Sequence, residues 1–167
     1  MEFLFSPWRL AYITANSGSS ESAGCIFCNA AQPQSHDLVL IRGRLCYVIL
    51  NLYPYNNGHL MVAPNRHIAN LAATTADERA ELTRLTRHAE MALTEAYNPE
   101  GLNVGVNLGR PAGAGVLDHL HVHLVPRWNG DTNFMTVVGN VRVLPEELAD
   151  TAKRLRPIFE RLASTDD

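Results

Sequence analysis

Apolar and polar residues alternate along this chain with two periods, and the changes of period mark its elements. "LVLIRG" and "CYVILN" are short apolar runs flanking Gly43 and Arg44, which predicts a hairpin, and "HLMVAP" predicts a third strand. The period then lengthens. In "TTADERAELTRLTRHAEMALTEAY", Leu82, Leu85, Ala89, Ala92 and Ala96 fall at helical spacing, Thr75 with Glu78 offers a capping box, and Asn98-Pro99 ends the run. His88 stands beside charged neighbours in this helix and is expected at the surface. "LNVGVNLG" predicts a strand, "RPAGAGVLD" a glycine-rich loop, and "DHLHVHLVPRW", Asp118 to Trp128, a strand in strict alternation. Beyond it, "NFMTVVGNVRVL" is expected to add strand. "PEELADTAKRLRPIFERLA" should form a C-terminal helix with Pro145 in its first turn and Pro157 kinking or interrupting it. The expected fold class is therefore α+β, an antiparallel sheet with one main helix and a C-terminal helix. No internal repeat is present.

Composition narrows the picture. At 167 residues with 46% hydrophobic content, the chain suits one domain with a real core. A net charge of -3, from 14 basic and 17 acidic residues without a basic run, argues against extended nucleic-acid binding but leaves a small phosphorylated ligand open. No apolar run approaches the ~18 residues of a membrane span, and "MEFLFSPWRL" lacks the basic start and apolar core of a signal peptide. A cytoplasmic protein is expected. Three cysteines argue against a disulfide scaffold. Cys46, in "CYVIL", is expected in the core. Cys25 and Cys28 form C-x-x-C after a Ser/Gly-rich stretch, a pattern shared by zinc half-sites and redox pairs.

The strongest chemical signal is the alternation of His119, His121 and His123 with Leu120, Val122 and Leu124. As a strand, this puts three imidazoles on one face. Strand residues two apart are separated by roughly 6.5 Å and residues four apart by roughly 13 Å, so two neighbours can share a metal but three cannot. At least one imidazole is left for nucleophilic or acid-base work near neutral pH. The preceding loop, with Gly113 and Gly115, offers an anion close approach to backbone N–H groups.

The run from His119 to Val125 resembles the signature of the histidine triad family, His-φ-His-φ-His-φ-φ with φ apolar. "NLYPYNNGHLMVAPNRH", Asn51 to His67, is similar to the upstream block of that family, and "CIFC" to the start of its zinc-containing members. The resemblance implies a histidine triad fold, usually a homodimer, acting on the α-phosphate of a nucleotide or dinucleotide through a nucleotidyl-histidine intermediate. It makes His121 the nucleophile and gives His123 the phosphate oxygens and the leaving group. His119, the first histidine of the triad, joins the catalytic set, and with Cys25, Cys28 and His67 it becomes a ligand of a structural zinc. The alternative is free thiols at Cys25 and Cys28 and a hydrogen-bonded relay of His67 and His119, as in relatives without cysteines. Ile26, Phe27 and Leu52 would line the base pocket, Asn51 would replace an aspartate that binds ribose, and Asn107, Gly113 and Gly115 would meet phosphate. Many relatives carry a serine near Gly115, so backbone N–H groups must serve here. His59, of the Gly-His pair, is expected to be structural. "SPWRLAYI", "NLYPYNNGHL" and "VPRWNGDTNF" resemble the diadenosine tetraphosphate phosphorylase-like branch, where Trp128 falls in the substrate-binding region and inorganic phosphate is a candidate co-substrate. The implied boundaries are an N-terminal extension over 1–24, the core over 25–128, and a C-terminal extension of the same domain over 129–167.

Overall fold

The computed structural model describes residues 24–33, 37–131 and 146–165. Its elements are α1 (Ile26–Ala31), β1 (Val39–Arg42), β2 (Cys46–Leu50), β3 (Leu60–Pro64), α2 (Ala76–Tyr97), β4 (Gly101–Val106), β5 (Val122–Arg127) and α3 (Leu148–Ala163). The strands form one antiparallel sheet in the order β1-β2-β3-β5-β4, the α+β architecture expected. The segment 133–144, expected to add strand, and Pro145 lie outside the described residues. Among those described, no helix is long and apolar enough to cross a membrane.

Every residue of β2 and β3 is buried, because helices cover both faces of the sheet. On one face Leu40, Cys46, Val48, Leu50, Leu60, Val62, Val122 and Leu124 pack with Leu82, Leu85, Ala89 and Leu93 of α2 and Leu155 and Phe159 of α3. On the other, Tyr47, Ile49, Met61 and Ala63 pack with Phe27 and Ala30 of the short α1. Strand alternation assigns side chains to these two layers, and the second layer carries the chemistry.

Local signals explain the joints. The capping box at Thr75 and Glu78 is formed on both sides, and α2 ends at Asn98 in the left-handed conformation, φ 42°. The β1–β2 hairpin is pinned from α2. Glu81, itself buried, accepts the N–H groups of Arg44 at 2.8 Å and Leu45 at 2.6 Å. A Cβ on Gly43 would lie 2.1 Å from Glu81 Oε1, so only glycine lets the carboxylate come this close.

Three expectations need correction. His88 is buried, with 1% of its surface exposed, instead of lying at the surface. It stands two turns before Glu95, which pairs with Arg161 of α3 at 2.5 Å, so the flank of α2 that reads as polar lies on the side that α3 approaches. Pro157 does not interrupt α3, which continues to Ala163. The carbonyl that loses its partner belongs to exposed Lys153, where water can replace the missing N–H. Finally, the paired strand β5 starts at Val122, so His119 and His121 lie on its lead-in. There the Leu120 N–H turns away to the carbonyl of Ile68 at 2.6 Å.

Candidate functional site

Alternation places His59, Met61 and Ala63 on the same face of the sheet as His121 and His123, the face on which α1 packs. His119 and His121 are both buried, and Phe27 of α1 lies against them, its ring stacked on His121 at 4.7 Å and tilted on His119 at 5.2 Å. The rings of His121 and His123 meet edge to face at 4.7 Å.

Fixed partners decide the tautomer of each ring. His121 Nδ1 lies 2.8 Å from the carbonyl oxygen of His119, which can only accept, so Nδ1 carries the proton and Nε2 keeps its lone pair. Burial holds the His121 pKa below the usual histidine range, and the bond to the His119 carbonyl opposes this only in part. His123 is fixed through a relay. The Tyr55 N–H donates to His59 Nδ1 at 3.0 Å, which leaves the His59 proton on Nε2. That Nε2 lies 2.9 Å from His123 Nδ1 and donates to it. Neutral His123 therefore carries its own proton on Nε2. Burial, and then the repulsion that protonated His121 would exert on a second imidazolium, pushes its pKa down to about 4. One imidazole thus offers a lone pair and its neighbour an N–H, the pair that group transfer at phosphorus requires.

His119 is turned the opposite way. Its Nε2 donates to the Pro64 carbonyl at 2.8 Å, so Nδ1 holds the lone pair, 3.3 Å from Cys25 Sγ and 3.6 Å from Cys28 Sγ. Cys28 Sγ is 3.2 Å from His67 Nδ1. The ligand atoms of Cys25, Cys28, His67 and His119 all lie within 4.8 Å of one another, a group that could hold a metal ion. A tetrahedral S2N2 site with ordinary metal–ligand bonds has edges of roughly 3.3–3.8 Å, close to these separations. Burial and the adjacent Cys25 raise the Cys28 thiol pKa, a cost that a bound cation reverses.

A cavity of about 480 Å³ opens against Phe27, which stacks on His121, and Met61, which pairs with His123; Ile26, Asn51, Leu52 and Gly115 of the expected set also line it, as do Ile49, Tyr53 and Val116. Asn51 is partly committed: its Nδ2 lies 3.2 Å from His59 Nδ1 and its Oδ1 accepts the Tyr53 N–H at 3.1 Å. One amide hydrogen and one lone pair remain for a ligand. Gly113 follows a short 3-10 turn with φ 88°, so its backbone has the left-handed form glycine allows, but it does not line the cavity. Asn107 also lies outside the lining; one residue beyond the Val106–Val122 pair, the register sets it beside His121. Trp128 does not line the cavity. It follows β5 five residues after His123, and its N–H reaches Asp131 at 3.4 Å. Two contributors were not expected. His59 sets the tautomer of His123, and Tyr55 packs on both rings, at 4.6 Å from His59 and 6.0 Å from His123. The shared alternation of "HLMVA" and "HVHLV" was the available signal for His59.

Comparison with known proteins gives a consistent result. Residues 32–130 match the family model described as HIT domain. The AP-4-A phosphorylase of Mycobacterium tuberculosis (strain H37Rv) is 42% identical, covering 96% of this chain and 86% of that protein. A hypothetical histidine triad nucleotide-binding protein of Sulfolobus tokodaii strain7 superposes with a TM-score of 0.68 at 29% identity, covering 83% of this chain and 93% of that one. A Zn-bound histidine triad family protein of Mycobacterium smegmatis has a TM-score of 0.68 at 24% identity, covering 85% of this chain and 97% of its own, and shares the fold. The chain belongs to the HIT domain family of nucleotide-processing enzymes.

Proposed function

We propose that the chain is a nucleotidyl transferase acting on the α-phosphate of dinucleoside polyphosphates, with diadenosine tetraphosphate as substrate and inorganic phosphate as acceptor. The observation that carries this reading is the bond from His121 Nδ1 to the His119 carbonyl at 2.8 Å, which leaves Nε2 as a neutral nucleophile. Attack of Nε2 on the α-phosphorus breaks its bond to the bridging oxygen, expels ATP and leaves AMP joined to His121. An oxygen of inorganic phosphate then attacks the same phosphorus, frees the imidazole and forms ADP. His123, with its proton on Nε2, donates to the departing oxygen and stabilises the charge that builds there. Ile26, Phe27 and Leu52 contact the base, Asn51 the ribose, and Asn107 with the Gly113–Gly115 backbone the phosphates; Trp128 acts at the far end of a long substrate. The 42% identical phosphorylase supports the choice of substrate and acceptor.

Cys25, Cys28, His67 and His119 would hold zinc, the metal suited to a closed set of two sulfurs and two nitrogens. With four protein ligands it supplies cross-linking and no open coordination position. A homodimer in the cytoplasm completes the proposal. Its support is the edge strand β4, where Val104 and, just beyond, Leu108 are exposed, and the three thiols, which suit a reducing compartment.

Product analysis with diadenosine tetraphosphate tests the reading. ATP plus ADP, formed only when phosphate is present, is expected. AMP plus ATP without phosphate would make water the acceptor. Turnover confined to nucleoside phosphoramidates would move the substrate class, and binding without turnover would make the chain a nucleotide-binding regulator. His121→Asn should abolish transfer; retention of most activity would remove the nucleophile assignment.

A further inference from the structure

Between the two thiols of Cys25 and Cys28 stand Ile26 and Phe27, so the helix that supplies half of the metal ligands also supplies the ring lying on His121. Phe27 is only 2% exposed, and its stacking on His121 has an interplanar angle of 26°. A wall that serves a ligand gives surface to it. This ring reaches the cavity lining and can touch a base there, yet it gives nearly all of its surface to protein.

The helix that carries Phe27 cannot hold it in place by itself. α1 has 6 residues, and its N-cap, Cys25, makes no side-chain capping bond. Helices this short are marginal unless tertiary contacts fix them. Its anchors fall into two sets. One is the apolar contact of Phe27 and Ala30 with β2 and β3, helped by the Tyr47 hydroxyl, which donates to the Phe27 carbonyl at 2.7 Å. The other is the pair of thiols beside His67 and His119. His119 enters twice: its Nδ1 faces the sulfurs while its carbonyl holds His121 Nδ1. Two mechanical routes therefore run from the metal ligands to the nucleophile, one through the backbone of His119 and one through the ring of Phe27.

We propose that Phe27 is a positioning residue through which the metal centre sets the orientation of His121, so that the metal contributes to turnover as well as to stability. This rests on the assignment of His121 as nucleophile and of the Cys2His2 group as a metal site. With the metal bound, Cys25 and Cys28 fix α1 at both ends of its first turn and press the Phe27 ring on the imidazole. Without it, the hydrogen bond to His119 still selects the tautomer, but α1 keeps only its apolar anchors and the Phe27 ring holds the imidazole less tightly. A small misplacement of a reacting atom costs rate with little cost in binding.

The test has two arms. The first needs no substrate, so its outcome is independent of which reaction the enzyme performs. In the metal-loaded protein, NMR should show the His121 ring protons shifted upfield by the current of the Phe27 ring. Chelation should abolish that shift while the Leu124 and Val62 methyl resonances stay in place. Persistence of the shift in metal-free protein would overturn the proposal. If chelation unfolds the sheet, the methyl resonances report it and the second arm decides. That arm is Phe27→Leu, measured as loaded enzyme with metal content and melting recorded. The proposal expects metal retained, kcat reduced roughly ten- to a hundredfold and KM within about twofold. A rise in KM with kcat kept would make Phe27 a base-pocket wall only. A lower melting temperature with kcat per folded molecule unchanged would make it core only.

Discussion

His59 Nε2 lies 2.9 Å from His123 Nδ1, and the direction of that hydrogen bond is dictated from outside the pair, by the Tyr55 N–H that occupies the other nitrogen of His59. A residue with no direct part in bond making thus decides which nitrogen of His123 carries the proton.

Replacing His59 with phenylalanine should therefore cost rate selectively. His123 loses the donor that locks its proton on Nε2, and transfer should slow by roughly ten- to a hundredfold for a poor leaving group. A substrate with an activated leaving group, which needs no proton, should recover most of the loss. Equal losses on both substrates would show that His59 only packs.

The outer histidines should separate cleanly. His119→Ala removes one of four clustered ligand groups and the bond to Pro64, so it should lower the melting temperature and the metal content. His123→Ala should keep its metal and reduce turnover sharply, with a drop in melting limited to that of leaving the buried His59 donor unpaired. Normal melting of the first with full metal content would discard the ligand assignment.

Acid should weaken the fold before it touches the carboxylates. Burial pushes the folded-state pKa of His123 down to about 4, against an ordinary histidine value of about 6.5, so between those limits the unfolded chain binds a proton that the folded one does not. Stability should accordingly rise with pH across about 4 to 6.5. Denaturant titrations of the wild type and of His123→Asn, which cannot titrate, should show a smaller slope for the variant in that window.

Glu81→Gln tests the pinned hairpin. The amide would turn an N–H group toward one of the two backbone donors that the carboxylate now accepts. A loss of about 1–3 kcal/mol in denaturant stability is expected, with metal content unchanged.

Much of this could be read from residue patterns alone, because strands and one long helix announce themselves by period and the triad is a dense local signal. Thr75 and Glu78 marked a helix start that the structure reproduces to the residue. Most of the failures share one cause, which is that partners distant in sequence override local pattern; Pro157 is the exception. His88 looked polar and exposed until α3 came alongside α2. Pro157 looked like a stop because its exposed surroundings were not visible. His59 reads as structural, but which group it holds is not legible locally, because His123 lies 64 positions away. The lead-in at His119 and His121 reads as strand by alternation, yet the Leu120 N–H is used by Ile68 outside the sheet ladder.

The placement of β5 between β3 and β4 has a consequence for motion. β1 and β4 are edges, and their outer amides can exchange hydrogen with solvent through small local openings. The amides of β5 are flanked on both sides by strands from other parts of the chain, so exposing them means parting the middle of the sheet. Among the described residues, His123 is therefore expected on one of the slowest-exchanging stretches of backbone. The flexibility that substrate entry and product release require must come from what surrounds this strand.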